Sequence, residues 1–238
     1  DLTPAPSRDR RVVKRWALAG GPHGLVLAPD GTLYVGLSER QAVVAIDPEE
    51  GRVVREAVLD SPEIASTKEL VTLRLDAAGT RLAVAHGSDE SASILALPSL
   101  KTEREILLEG ETVRDALFDP KGRYLYLLGR TVHVFDGGGQ REIRSLGDIA
   151  PMAIATDREG RWLAIAGTEE FENGPATVVA IYDAETLREI ARDPLQTDRA
   201  VEAMLFAAGD RTLVALSRDR FAEKPVSARK APEFTTAE

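Results

Sequence analysis

Short apolar runs separated by tight polar turns recur along the whole chain. Five segments each contain an apolar run, a polar turn with Gly and a second apolar run. They read GLVLAPDGTLYVGLS, LRLDAAGTRLAVAHG, ALFDPKGRYLYLLGR, AIATDREGRWLAIAG and MLFAAGDRTLVALSR. Gly and Asp favour turn dihedrals, and the Leu, Val, Ile and Tyr on either side suit strands. Each segment therefore predicts a β-hairpin.

A third apolar run follows most hairpins, and a fourth run that begins with Arg or Glu follows the third. Asp47, Asp136 and Asp183 close three of the third runs, where a short carboxylate can accept hydrogen bonds from turn amides. Each unit thus predicts four short strands, named a, b, c and d in chain order. The units are spaced by roughly 38 to 50 residues, which is typical of propeller blades. Most runs have apolar residues at successive positions rather than alternating apolar and polar ones, as expected of strands in sheets that stack face to face. The sequence shows no convincing helical period.

The opening stretch RVVKRWAL, residues 11–18, is nearly identical to RVVREAVL, residues 52–59, which fills strand d of the first unit. The last unit starts near Val201 and has a weak strand c around residues 221–228 but no strand d. We therefore expect residues 11–18 to pair with this last unit and close the ring, covering an edge that would invite aggregation. The predicted fold is all-β, a five-bladed β-propeller of four-stranded antiparallel blades closed by an N-terminal strand.

Composition narrows the class of protein. The 238 residues, 43% of them hydrophobic, suit one large domain, which we place at residues 1–230 with a flexible tail at 231–238. The net charge of −9 argues against a nucleic acid partner, because phosphates require clustered Lys and Arg. No apolar run approaches the roughly 18 residues that span a bilayer. Cys is absent, which excludes disulfides and thiolate metal sites.

The first unit resembles a known repeat. GPHGLVLAPDGTLYVGLSERQAVVAIDPEEGRVV is similar to the YVTN-type repeat of bacterial β-propellers, a WD40-like repeat. The matching residues are Pro22, Gly24, Pro29, Asp30, Gly31, Tyr34, Val35, Ile46 and Asp47. The match is good in the first unit, fair in the third and fourth, and loose in the second and fifth. YVTN-type rings usually have seven blades, whereas this chain supplies five.

The resemblance implies a bacterial propeller that often works outside the cytoplasm, with relatives among quinoprotein amine dehydrogenase propellers and streptogramin-lyase-like proteins. The repeat itself specifies no chemistry. The polar, Pro-containing opening DLTPAPSRDR is like the residues that follow a removed signal peptide, and a sequence trimmed at this point would begin in the same way. We therefore expect a periplasmic or secreted protein, with a cytoplasmic location left open.

Strand order locates the working face. The b–c and d–a connections share one face of an antiparallel blade, here called the loop face, and the a–b and c–d turns share the other, the turn face. The loop-face connections are longer and vary between units, and variable loops on a rigid scaffold usually carry binding. Residues entering strand a also point at the central channel. The predicted binding residues at the channel mouth are His23, Glu69, Arg114, Asp115, Met152 and Glu202, and those in the loops are His86, Asp89, Glu169, Glu170 and Glu172.

These residues also allow catalytic interpretations. His23 could be a general base or a hydrogen-bonded channel residue. Glu69, Asp115 and Glu202 come from three blades, as in five-bladed glycosidases, but Arg114 and Lys68 could simply neutralise them.

Three other stretches invite a specific reading. The acidic stretch 168–174 offers oxygen donors for Ca²⁺ without the alternating spacing of a calcium loop. His86 beside Ser88 and Asp89 is a weak triad, because sequence neighbours seldom have triad geometry. His133 alternates within TVHVFD, which predicts a packed strand residue.

The sequence favours a non-enzymatic scaffold that binds another protein or a peptide through the loop face. The alternative is an enzyme or enzyme subunit, lyase-like through His23 or glycoside-hydrolase-like through the axial acids. We expect no cofactor and no tightly bound transition metal, because Cys is absent and the three His lie in different units.

Overall fold

The computed structural model of the protein describes residues 14–59, 72–87, 90–195, 200–207, 209–210, 212–217, 221–225 and 235–236. These residues contain twenty β-strands and no helix, and the strands form five antiparallel four-stranded sheets in chain order. Sheet 1 contains β1 (Pro22–Leu27), β2 (Leu33–Leu37), β3 (Ala42–Asp47) and β4 (Arg52–Val58). Sheet 2 contains β5 (Thr72–Leu75), β6 (Arg81–Ala85), β7 (Ser91–Ala96) and β8 (Lys101–Leu107).

The remaining three sheets repeat this order. Sheet 3 contains β9 (Asp115–Phe118), β10 (Tyr124–Leu128), β11 (Val132–Asp136) and β12 (Glu142–Leu146). Sheet 4 contains β13 (Ala150–Thr156), β14 (Trp162–Phe171), β15 (Gly174–Asp183) and β16 (Arg188–Pro194). Sheet 5 contains β17 (Val201–Ala207), β18 (Thr212–Ser217), β19 (Phe221–Pro225) and β20 (Thr235–Thr236). The five predicted hairpins and the all-β, four-stranded antiparallel arrangement are confirmed.

The predicted capping of the c–d turns by aspartates is also confirmed. Asp47 Oδ1 accepts hydrogen bonds from the backbone N–H groups of Glu49 and Glu50, at 2.8 and 3.1 Å. Asp136 and Asp183 make the same kind of contact in sheets 3 and 4. These turns are therefore fixed by the sequence of each unit.

Successive sheets pack face to face, with the first strands β1, β5, β9, β13 and β17 as neighbours in that order. Apolar clusters fill the spaces between sheets: Tyr34 and Leu82 lie between sheets 1 and 2, and Ile181 and Leu213 between sheets 4 and 5. Each fully buried side chain of this size contributes about 1.5–3 kcal/mol. Packing on both faces explains why the central strands are continuously apolar rather than alternating.

Arginines on the turn face join neighbouring sheets, a feature that we call the arginine clasp. The buried carboxylate of Asp119 accepts a hydrogen bond from Arg123 Nε at 2.9 Å, and Arg123 Nη2 donates to Gly160 O of sheet 4 at 2.7 Å. Asp157 Oδ2 likewise accepts a hydrogen bond from Arg161 Nε, at 2.8 Å. The aspartate orients the arginine, and the arginine reaches the next sheet.

Sheets 2 and 4 make further contacts of this kind. Arg81 pairs with Asp76 at 3.2 Å and donates through Nη1 to Gly137 O of sheet 3 at 2.8 Å. Arg161 Nη2 lies 3.4 Å from Asp210 Oδ2 of sheet 5. Sheets 2, 3 and 4 thus each extend an arginine to the sheet that follows.

The predicted closure by the N-terminal strand is wrong where the structure describes it. Residues 14–18 form no strand, and they lie against sheet 1 instead of sheet 5. Leu18 packs on the apolar face of sheet 1, and the Trp16 ring occupies the space that a Cβ at Gly51 would take. The fourth strand of sheet 5 is β20, from the predicted tail, which pairs with β19. Residues 11–13 lie outside the described residues.

Candidate binding face

Three predicted channel-mouth residues occupy equivalent positions on the loop face. The first strands of sheets 1, 4 and 5 each begin with a register shift against the second strand, and the shifts fall at His23, Met152 and Glu202. Such a bulge re-aims a side chain away from the regular alternation. His23 and Glu202 are exposed and Met152 is half-buried. All three therefore lie near the start of a first strand on the loop face, a position that we call the rim.

Arg114 links two sheets at this rim. Its Nη2 donates to the backbone oxygens of Gly129 and Pro151, at 2.6 Å each. Burial lowers the pKa of the Arg114 guanidinium. Because these hydrogen bonds join sheet 3 to the start of sheet 4, Arg114 has a scaffold role on the loop face.

Asp115 is held in an ion pair. Its Oδ2 lies 2.8 Å from Arg74 Nη2, and its Oδ1 accepts a hydrogen bond from Ala116 N at 2.9 Å. Arg74 lies on β5, so this pair joins sheets 2 and 3. Sequence reasoning missed Arg74, although a charged residue inside the apolar run LRL was an available signal. Glu69 and Asp89 lie outside the described residues.

His86 is part of the core of sheet 2. Its side chain is fully buried, with Nε2 3.0 Å from Ser93 Oγ and Nδ1 3.1 Å from Ser91 Oγ. A buried polar ring is stable only when its nitrogens have partners, and the two serines supply them. His86 thus lies beneath the loop face, and its partners are the hydroxyls of strand β7.

His133 lies between two carboxylates, a contact that the sequence did not reveal. Its Nδ1 is 2.8 Å from Glu142 Oε1, and its Nε2 is 3.1 Å from Glu111 Oε2. Burial alone would raise the pKa of Glu111, but hydrogen bonds with His133 and with the Arg130 N–H outweigh it and hold that pKa below its usual value. These contacts join Glu111, in the connection between β8 and β9, to strands β11 and β12 of sheet 3.

The acidic stretch 168–174 is the end of a long β-hairpin. Strands β14 and β15 have ten residues each, while the other second and third strands have five or six. The last pair shared with β13 is Ala150–Thr168, and three more pairs follow up to Phe171–Gly174. At about 3.3 Å per residue, the hairpin projects roughly 10 Å beyond the start of β13. We call residues 169–176 the projecting hairpin.

The base of the projecting hairpin is anchored and its tip is exposed. Glu169 Oε1 lies 3.1 Å from Arg192 Nη1, and the carboxylates around Arg192, Glu189 foremost, raise the pKa of its guanidinium. At the tip, Phe171 is 47% exposed between the exposed side chains of Glu170 and Glu172. An aromatic side chain flanked by acids is thereby presented to solvent on the loop face.

The acids of the hairpin do not converge on one point. Successive residues of a strand point to opposite faces, so Glu169 and Glu170 face apart. Among the residues that the structure describes, no three His, Asp or Glu side chains are grouped to hold a metal ion. Nor does the described part contain a helix with the length and apolar character needed to cross a bilayer.

Comparisons with known proteins are informative for the fold. No protein-family profile and no curated protein match the chain. Among solved structures, the β-propeller domain of Myceliophteria thermophila Cps50 (Swd1) is similar, with a TM-score of 0.74, 16% identity, and coverage of 93% of this chain and 73% of that chain. Kuenenia stuttgartiensis hydrazine synthase gives a TM-score of 0.72 and 14% identity, over 98% of this chain and 70% of that chain. At these identities the likeness concerns architecture, and it supports a β-propeller fold for this protein.

Proposed function

We propose that the protein is a non-enzymatic propeller scaffold that binds another protein or a peptide through its loop face. The observation that carries this proposal is the projecting hairpin, which presents Phe171 between Glu170 and Glu172. Aromatic side chains are favoured anchors at protein interfaces, and flanking charges set the orientation and the rate of association. The partner surface would offer an apolar pocket with basic residues around it.

The channel-mouth residues extend this surface. His23, Met152 and Glu202 share equivalent rim positions, and the b–c connection that forms the hairpin lies on the same face. Arg114 and Asp115 would act indirectly, by holding the sheets that carry the rim. A protein partner is also in keeping with the propeller likeness, which by itself indicates only the fold.

The enzymatic alternative is less favoured by the contacts of the axial residues. Asp115 is paired with Arg74, and the Arg114 guanidinium is bonded to two carbonyl oxygens. A glycosidase requires two carboxyl groups on either side of a substrate bond, one of them able to donate a proton. An ion-paired aspartate is poorly suited to that role.

Two finer assignments belong to the same proposal. The five sheets would be five blades related to the YVTN-type repeat, as the motif of the first unit suggests. The protein would work outside the cytoplasm, in the periplasm or secreted, an expectation that rests on the sequence resemblance and on the composition of residues 1–10. Fractionation of the cells that produce the protein tests the location.

The binding proposal is tested by comparative capture and titration. Wild-type protein and the Phe171→Ser variant are immobilised, and proteins retained by the first but not by the second are identified and titrated against both. We expect Phe171→Ser to weaken binding at least about tenfold, as for an interface anchor. Glu170→Lys with Glu172→Lys should reduce mainly the association rate.

The matched control is Ile143→Ser, at an apolar residue that is 44% exposed and lies beside the c–d turn of sheet 3, on the turn face. It should leave affinity and melting temperature unchanged. Equal loss of affinity in the control and in Phe171→Ser would contradict the assignment of the hairpin.

A further inference from the structure

The projecting hairpin has an inner edge and an outer edge, which differ in their hydrogen-bonding groups. The inner edge is the side of β14 along which β13 pairs, and the outer edge is the side of β15 along which β16 pairs. Pairing with β13 stops at the Ala150–Thr168 pair, and pairing with β16 stops at the Val178–Pro194 pair. Among the described residues, no further strand pairs with either edge of the hairpin.

The backbone of Glu170 faces the inner edge. Backbone groups of successive residues in a strand point to opposite sides. Thr177 O accepts a hydrogen bond from Leu195 N at 2.8 Å, so the backbone groups of Thr177 point to the outer edge. Thr168 lies opposite Thr177, and its backbone groups consequently point to the inner edge. Glu170 lies two residues further along β14 and repeats this direction, so its N–H and C=O are presented beyond the end of the pairing with β13.

The outer edge does not offer the same pair of groups. Pro175 lies opposite Glu170, and its backbone faces the outer edge. Proline has no N–H, and it commonly protects an exposed strand edge against pairing. The hairpin can thus accept a further strand along its inner edge, whereas its outer edge is blocked.

The chain that leads into β13 does not run along the inner edge. Ile149, directly before β13, is buried in the apolar cluster between sheets 3 and 4. Asp148 Oδ2 lies 3.6 Å from Arg192 Nη2 of β16, and Arg192 pairs with Ala180 of the same cluster. This connection therefore crosses over from sheet 3, and it does not fill the place beside Glu170 that a strand in line with β13 would take.

The side chains of the tip indicate which residues an added strand would carry. Glu170 is exposed, and a basic residue directly opposite would pair with it across the strands. Phe171 points to the other face of the hairpin and is 47% exposed, and Glu172 adds a second exposed carboxylate. A segment that alternates basic and apolar residues would place the basic ones beside Glu170 and the apolar ones beside Phe171.

We propose that the partner binds the projecting hairpin as an added β-strand, through an extended segment of alternating basic and apolar residues. The segment would lie antiparallel to β14 and in line with β13, because one residue can then exchange both hydrogen bonds with Glu170. Strand addition of this kind takes affinity from main-chain hydrogen bonds and specificity from alternate side chains. The inference rests on the proposed function, and it adds the conformation and composition of the partner's binding segment.

Two N-methylated versions of one peptide test this proposal. The probe is a short peptide of alternating lysine and valine, blocked at both ends and titrated into the full chain by calorimetry. Methylation of the lysine nitrogens removes the N–H groups that would face β14, whereas methylation of the valine nitrogens removes those on the far side. We expect the lysine-methylated peptide to bind at least about tenfold more weakly than the unmodified one, and the valine-methylated peptide to bind like it.

The two methylated peptides have the same charge and composition. Equal affinities for them would indicate electrostatic attraction without strand pairing and would overturn the proposal. Failure of the unmodified peptide to bind the wild type would also overturn it.

A matched pair of protein variants provides a second arm. Glu170→Ala removes the carboxylate and keeps the backbone N–H, whereas Glu170→Pro removes both. We expect Glu170→Pro to bind the unmodified peptide at least about tenfold more weakly than Glu170→Ala, and equal affinities would contradict strand addition. Circular dichroism checks the fold of both variants, and the comparison of the methylated peptides requires neither of them.

Failure of this inference can be distinguished from failure of the proposed function. If Phe171→Ser weakens binding of the captured protein while Glu170→Pro binds it as well as Glu170→Ala does, the hairpin binds a partner but not as an added strand. If neither Phe171→Ser nor Glu170→Pro changes the affinity, the proposed function itself is wrong.

Discussion

Replacing Asp119 with alanine removes the centre of one arginine clasp. The buried carboxylate accepts hydrogen bonds from Arg123 N, Nε and Nη2, at 3.1, 2.9 and 3.0 Å. A hydrogen bond to a charged group contributes about 1.5–3 kcal/mol, and breaking a buried pair costs about 3–5 kcal/mol. The Arg123 side chain is 26% exposed, so water can replace part of the hydrogen bonding that the guanidinium loses. We expect a loss of about 2–4 kcal/mol in the free energy of unfolding.

The assay is thermal and urea unfolding followed by circular dichroism. For a chain of this size each kcal/mol shifts the melting temperature by about 2–4 °C, so Asp119→Ala should melt roughly 4–16 °C lower. Asp119→Asn should lose less, because its amide oxygen can still accept the Arg123 N–H. Lys121→Ala, an exposed change in the same turn, should stay within about 0.5 kcal/mol of the wild type. If Asp119→Ala unfolds like Lys121→Ala, the clasp does not stabilise the packing of the sheets.

Three further predictions concern the turns and the core. Gly137→Ala should destabilise the protein by about 2 kcal/mol or more, because its Cβ would lie 1.9 Å from the backbone oxygen of Gly122 in the facing turn. Gly138→Ala would meet only ordinary van der Waals contacts and should be tolerated. The urea midpoints of the two variants test this difference. Backbone N–H groups, that of Thr186 first, hold the pKa of Asp183 below its usual value, so its stabilisation is complete above about pH 4 and is lost as the pH falls through the lowered pKa. Unfolding of Asp183→Asn should accordingly depend less on pH between about pH 5 and 2, and an unchanged acid profile would contradict this. His86→Ala should cost about 2–4 kcal/mol in the free energy of unfolding, because it leaves a cavity and two buried hydroxyls without the ring nitrogens; a near-wild-type urea midpoint would argue against a core role.

The strands could be predicted because their signals are local. Turns such as PDG and DPKG sit between apolar runs in every unit, and Asp47 and Asp183 cap turns through contacts within three residues. The place of His23 at the start of the first strand of its unit also followed from the hairpin pattern alone. These features require no knowledge of how distant parts of the chain pack.

The misassigned features depend on contacts that sequence similarity does not reveal. Residues 11–18 have strand propensity, but Trp16 occupies the space above Gly51 and Leu18 packs on sheet 1, so residues 14–18 lie against sheet 1 without forming a strand. The stretch around Phe171 lacks an alternating pattern, so its extension of β14 was not predicted. The charge of Arg74 inside LRL was visible in the sequence, but its pairing with Asp115, 41 positions away, could be found only after the sheets were placed side by side.

Photocrosslinking from the tip of the projecting hairpin tests the central claim most directly. Phe171→p-benzoylphenylalanine is introduced into the full chain in the cells that produce it, with Ile143→p-benzoylphenylalanine, on the turn face, as the matched exposed control. Because the side chain at 171 would lie inside the partner's pocket, we predict one discrete covalent adduct with another protein from position 171 and none from position 143. Absence of an adduct at 171, or the same adduct from both positions, would contradict binding through the loop face.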